Sequence, residues 1–184
     1  MVTRPVARTA IQLEQYGKAQ SALDEVKNQK VLPKKFDHGE LSAVEAELAL
    51  KRGKVDDAIV HLESAIPNAQ SKKERVRWAF TLAQLYQLKG QEDKAIQQFA
   101  AVAKMNPPYE MAFHAQIFQV LAFHQGDSKV YRRKLNRMLR DDKHIDHFDM
   151  LHYALADLDL KEHKDSSAID QLMTSAKVST TDTK

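Results

Sequence analysis

The sequence predicts an all-α fold of helical hairpins in tandem, and three observations predict it. Five Gly and five Pro in 184 residues, against abundant Ala, Leu, Lys, Gln and Glu, favour long helices joined by short turns. Helix-start signals recur along the chain. Asp37-x-x-Glu40, Ser71-x-x-Glu74 and Asp146-x-x-Asp149 have the form of capping boxes, and Asn106-Pro107 places an N-cap residue before a first-turn proline. The third observation is self-similarity: Ala19, Ala58, Ala95, Tyr131 and Ala168 anchor one recurring frame, at spacings of 39, 37, 36 and 37.

The frame is clearest over 76–107. There Leu82, Ala83 and Tyr86 fall on a first helix, Gly90 at the turn, Ala95 and Phe99 on a second, and Pro107 after it. This follows the tetratricopeptide (TPR) pattern of about 34 residues, with Trp78 one place early and Val102 in place of a small residue. Each residue type has a packing reason. Small Ala83 and Ala95 let two antiparallel helices approach, Tyr86 and Phe99 fill the space beside them, and Gly90 supplies the left-handed residue that ends the first helix.

The frame recurs upstream as Ala46, Gly53, Ala58, Leu62 and Ala65, and nearer the start as Ala19, Leu23 and Val26. Downstream it recurs as Ala156, Ala168, Leu172 and Ala176. The expected architecture is one TPR-like α-solenoid over 1–177, with hairpins at about 3–30, 37–69, 71–105, 107–141 and 146–177, and a polar tail over 178–184. Spacings above the nominal period lengthen the turns between repeats. Pro5 shortens the leading helix of the first hairpin, and Tyr131, where a small residue is expected, widens or rotates the fourth.

Composition narrows the function classes. The balance of 28 Lys plus Arg against 25 Asp plus Glu, with 43% hydrophobic residues, describes a globular chain able to build a core. With no Cys there is no disulfide, thiolate nucleophile or cysteine metal site. No apolar run reaches the roughly 18 residues of a membrane span, and the opening Met1-Val2-Thr3-Arg4-Pro5-Val6 has no apolar signal-peptide region.

A TPR stack curves and leaves a concave surface lined by the leading helices, which is its default binding site. The frame projects Arg77, Phe80, Gln84 and Gln87 of the third repeat onto that surface. From the fourth come Phe113, Gln116, Val120 and Phe123, and from the fifth Tyr153 and Asp157. Amides suit the backbone of an extended peptide and rings suit its apolar anchors.

Other chemistry is weaker. His144, His147 and His152 cluster near a turn, yet the His144-x-x-His147 pair straddles a helix start and lacks the acidic companion of a zinc motif. The basic runs Lys72-Lys73-Glu74-Arg75-Val76-Arg77 and Lys129-Val130-Tyr131-Arg132-Arg133-Lys134 read as solvated helix faces, without the aromatic interleaving of an RNA binder. No nucleophile elbow, Walker motif or Gly-rich phosphate loop occurs, so no catalytic residue, metal or cofactor is expected.

Beyond the repeat, three stretches are distinctive: Asn106-Pro107-Pro108-Tyr109-Glu110-Met111-Ala112-Phe113, Leu82-Ala83-Gln84-Leu85-Tyr86-Gln87, and Gly126-Asp127-Ser128-Lys129 followed by Lys134-Leu135 and Met138-Leu139. Together they resemble the SprE/PorW family, TPR lipoproteins of the type IX secretion and gliding-motility machinery of Bacteroidetes, in one register over about 32–177. The resemblance implies a non-enzymatic, periplasm-facing protein associated with the outer membrane, with secretion-machinery proteins as partners and no nucleic acid. The lipid-attachment cysteine of that family is missing here, so the resemblance implies an excised repeat region with no membrane insertion of its own. A soluble TPR adaptor or co-chaperone that captures peptide segments is the alternative, and a basic helical module for RNA or an anionic membrane surface a third.

Overall fold

Local sequence signals start and stop the helices. In the computed structural model, which describes residues 3–28 and 38–179, Ser71 and Glu74 form a reciprocal capping box, the Ser71 hydroxyl accepting from the Glu74 N–H. Asp37, of the first expected capping box, lies outside the described residues, as does the tail from Thr180.

Ten α-helices and two 3-10 segments, with no strand, make up the described residues. The chain divides into two compact units, Met1–Gly90 and Gln91–Lys184. The first holds α1 (Thr3–Gln12), α2 (Tyr16–Lys27), α3 (His38–Lys51), α4 (Val55–Ala65), a 3-10 segment Ile66–Asn68 and α5 (Lys72–Leu88). The second holds α6 (Glu92–Lys104), α7 (Tyr109–Leu121), α8 (Lys129–Met138), a 3-10 segment Asp142–His147, α9 (Phe148–Lys161) and α10 (Asp165–Val178). The division falls at the turn of the stretch expected as the third hairpin.

Four of the turns between successive helices are built alike. Glu14, Gly53, Gly90 and His163 are left-handed, with φ of 58°, 72°, 66° and 57°. The residue after each one, Gln15, Lys54, Gln91 or Lys164, has φ between −83° and −101° and ψ between 60° and 75°, and the next residue opens a helix. The N–H groups of Gln15, Lys54 and Lys164 reach back to the carbonyls of Ala10, Ala49 and Asp159 at 2.8, 2.8 and 2.9 Å. These bonds satisfy carbonyls that a helix end otherwise leaves open. The anchoring alanines Ala19, Ala58, Ala95 and Ala168 then donate to the carbonyls of Gln15, Lys54, Gln91 and Lys164 at 3.0 or 3.1 Å, and all four are fully buried.

In the first unit α1 packs on α2 and α3 on α4, with Ile11, Leu23, Val26 and Val44 at the centre of the core. Gly39 lies so close to the 3-10 segment that a Cβ there would stand 2.5 Å from the Asn68 carbonyl oxygen. Arg8 ties α1 to α3 through Glu40 at 3.1 Å, and the Tyr86 hydroxyl ties α5 to α4 by donating to Glu63 at 2.5 Å. Burial first, and the Glu63 carboxylate second, push the Tyr86 phenol up to about 12.

In the second unit α10 packs closely on α9, and α7 packs on both α6 and α9. The α7 and α8 backbones stand apart. Tyr131 sits at that crossing, half-buried, with its ring centroid 5.0 Å from that of Phe123, where the equivalent residue of the other pairs is a buried alanine. A phenol ring cannot enter the close approach that a methyl group permits, so the pair is held by side chains: Leu135 and Met138 of α8 meet the core built on Phe113, Ile117, Leu151 and Leu158.

Two expected helix starts move. Asn106 is left-handed, φ 50°, and not an N-cap; Pro108 takes that position with φ −53° and ψ 151°. The residue before a proline avoids the helical region, so the Pro-Pro pair delays the helix to Tyr109. Asp146 does not cap α9 either, because 142–147 winds as a 3-10 helix, which Asp141 caps by accepting from the Lys143 N–H, and His147 stands at the N-cap of α9. Pro5 lies in the first turn of α1, where its missing N–H costs nothing, and α1 runs for ten residues. Leu172 and Ala176 of α10, expected in the frame, are exposed.

Candidate functional site

On α5, Arg77, Phe80, Gln84 and Gln87 recur at helical spacing, so they share one face. Arg77 and Gln84 are exposed, while Phe80 and Gln87 are half-buried against the core side. The stripe runs about 15 Å along the helix, from the rise per residue. The opposite face carries Val76, Ala79, Leu82, Ala83 and Tyr86, all buried. That segregation is what one amphipathic helix supplies when half its circumference packs.

The residues expected from the fourth and fifth repeats divide. Phe113, Val120 and Phe123 are corrections: at 1%, 0% and 7% exposure they belong to the core of the second unit, and of the three only Phe113 borders a cleft. Their faces are turned inward because α7 packs on α6 and α9, so the apolar side of α7 is consumed by the core. Gln116 is half-buried and faces a cleft, and Tyr153 is exposed on α9. Asp157 is engaged internally, pairing at 2.5 Å with Lys161, which also donates to the Leu121 carbonyl at 2.8 Å. That lysine braces α9 against the end of α7.

The cleft is where the second unit opens. It has a volume of about 500 Å³ and lies between α7, α8 and the 3-10 segment that follows. The space lies where the α7 and α8 backbones stand apart. Phe113 and Met138 form its apolar floor, Tyr109 and His144 close one end, and Lys134 and Arg137 stand one turn apart on α8. The Tyr109 hydroxyl lies 2.7 Å from the Lys143 carbonyl and 2.7 Å from His144 Nδ1. A carbonyl can only accept, so the hydroxyl donates to it and His144 Nδ1–H donates to the hydroxyl oxygen. The rings of Tyr109 and His144 stack at 5.7 Å, and Phe113 and His147 stack at 4.5 Å.

Electrostatics follow from this packing. Burial, then the neighbouring Lys143 charge, hold the His144 imidazole below its ordinary value. Lys143 is neutralised by Asp141 at 2.6 Å, which lowers the carboxyl and raises the ammonium. Burial lowers Lys134, whose ammonium donates to Gln119 Oε1 at 3.1 Å.

The clustered histidines go to separate partners: His144 to Tyr109, His147 to Glu110 at 3.4 Å, and His152 to Gln171 at 2.8 Å. No three potential metal ligands converge among the described residues. A second, smaller cavity of about 130 Å³ in the first unit is lined by Lys27, Glu45, Arg52 and His61, where buried Glu45 pairs with Lys27 and lies 3.5 Å from His61. No helix of the described residues is long and apolar enough to cross a membrane.

A scan against protein-family models finds no match for the chain, and a search of curated proteins finds no relative. Of the two cations in the cleft, Lys134 was visible in the sequence only as the end of a basic run, and Arg137 carried no signal of its own.

Proposed function

We propose that this chain is a TPR-like solenoid of helical hairpins and works as a non-enzymatic scaffold that holds other proteins. The observation that carries the reading is the recurrent turn: a left-handed residue, a fixed connector and a buried alanine four residues on, at Ala19, Ala58, Ala95 and Ala168. Hairpins repeated at this near-constant interval stack by burying one face against the next, and the face left over is a surface for extended or helical partners. The α5 stripe of Arg77, Phe80, Gln84 and Gln87 is the part of that surface richest in amides. Exposed Leu160, Ile169 and Met173 add an apolar stripe on α9 and α10 of the kind that marks protein contacts.

The partners we propose, on the resemblance to the SprE/PorW family, are components of the type IX secretion and gliding machinery, met on the periplasmic side of the outer membrane. A generic peptide-capturing adaptor shares the fold and differs in compartment. Affinity capture from envelopes of a Bacteroidetes bacterium carrying that machinery separates them, with the chain as bait beside an Arg77→Ala/Gln84→Ala variant. Secretion-machinery proteins retained by the parent and lost by the variant support both the role and the α5 surface. Retention of cytoplasmic proteins or RNA in their place overturns the family assignment.

A further inference from the structure

The cleft of the second unit combines three features that ask for one kind of occupant. Its floor of Phe113 and Met138 is apolar and its volume of about 500 Å³ accommodates one or two side chains. Its α8 wall carries two cations without counter-ions: among the described residues neither Lys134 nor Arg137 pairs with a carboxylate, and the only bond of the Lys134 ammonium is to the Gln119 amide. Lys134 is half-buried and Arg137 exposed, so the cost of an unpaired cation falls on Lys134, where an incoming carboxylate gains more than at an exposed lysine. On the α7 wall, Gln116 makes no hydrogen bond to the described residues and offers both a donor and an acceptor.

We propose that this cleft takes a segment of a partner protein in which an apolar side chain is flanked by an acidic residue. The apolar side chain rests on Phe113 and Met138, the carboxylate bridges Lys134 and Arg137, and the segment's peptide group bonds to Gln116. The inference rests on the scaffold reading and names the chemistry of its ligand. A polyanion fits the site less well, because Asp141 places a carboxylate in the lining beside Lys143 and His144. A short segment with one or two acids needs only the α8 wall.

The test uses immobilised synthetic peptides in three matched series: Leu or Phe flanked by Asp or Glu, by Asn or Gln, and by Lys or Arg. Each series is probed with the full chain, with a Lys134→Gln/Arg137→Gln variant, and with an Arg133→Gln/Arg140→Gln variant that removes the same charge from neighbouring positions that do not line the cleft. The expected result is retention of the acidic series by the parent and the Arg133/Arg140 control, at least a roughly tenfold loss in the cleft variant, and a shift of the Met138 methyl NMR signal on binding. Equal retention of the acidic and amide series, equal losses in both variants, or an unmoved Met138 signal overturns the proposal. Envelope partners still captured by the cleft variant would then leave the scaffold reading standing. Conversely, acidic peptides held by the cleft while the parent captures no envelope protein would remove the secretion-scaffold reading alone.

Discussion

Arg132→Met removes the cation that bridges the carboxylates of Asp159 and Glu162. Arg132 Nη2 lies 2.8 Å from Asp159 Oδ1 and 3.0 Å from Glu162 Oε2, tying α8 to α9. The Asp159 side chain is 2% exposed against 27% for Arg132 and 25% for Glu162, so the two acids respond differently. Glu162 keeps the Ser128 hydroxyl and Lys164, whose hydrogen bonds do most to pull its carboxyl down to about 2. Among the described residues Asp159 keeps only the Ser167 hydroxyl, 2.7 Å from its other oxygen, as a side-chain partner, and its carboxylate stays buried. Breaking a buried pair by removing one partner costs about 3–5 kcal/mol, and the partial exposure of Arg132 places this case near 3. With a urea slope of about 2 kcal/mol per molar, the midpoint falls by about 1.5 M. The assay is urea unfolding followed by circular dichroism, with fluorescence of the single Trp78 reporting the first unit separately. The double variant Arg132→Met/Asp159→Leu recovers most of the loss, because removing both charges leaves nothing uncompensated. A single-variant shift below about 0.5 M, or a double variant no better than the single, refutes the reasoning.

Three further outcomes follow from the same geometry. Gly39→Ala forces a Cβ to within 2.5 Å of the Asn68 carbonyl and is expected to cost about 1–3 kcal/mol, whereas Gly53→Ala meets nothing within 4 Å and costs only the left-handed backbone, about 1 kcal/mol; urea midpoints rank the two. His144 has a folded value below its ordinary 6.5, so the unfolded chain binds the proton first, and its stabilising contribution, present above that value, is lost as pH falls from there through the folded value. Urea midpoints at pH 7.5 and 5.5 are expected to drop with acid in the parent by more than in His144→Phe. Ala95→Trp, at a position with no exposure, is expected to overpack and cost about 1–3 kcal/mol; an unchanged midpoint removes Ala95 from the frame.

Much of the helical order was legible because it is written in local chemistry. Gly90 announces a left-handed turn, Ser71 with Glu74 announces a helix start, and Ala58 announces the close approach of α3 and α4, and each behaves so in the structure. Glu14 and His163 carry no such announcement. They adopt the same left-handed backbone as the glycines because the packed helices on either side leave no alternative, a tertiary effect that a residue's own preference does not reveal. Faces were harder than helices. One residue of phase error turns a helix by about 100°, and in the repeat holding Phe113, Val120 and Phe123 the anchor position that carries alanine elsewhere is Tyr131, which leaves the phase unfixed. The cleft was illegible for the same reason, since its lining depends on which faces two helices with separated backbones turn to each other.

The recurrent turn also says where this chain can change length. Its parts are counted: from the left-handed residue to the buried alanine is always five residues, whether the segment is Glu14 to Ala19 or His163 to Ala168. One residue added inside that interval would swing the alanine out of the crossing and bring a bulky neighbour in. The stretches that join one pair to the next obey no such count, running as a 3-10 segment after α4, a Pro-Pro link after α6 and a longer 3-10 passage after α8. Insertions and deletions are therefore confined by geometry to the joins between pairs. A duplication that begins and ends in those joins copies a complete folding module, while one cut through a pair copies two helices with no partner.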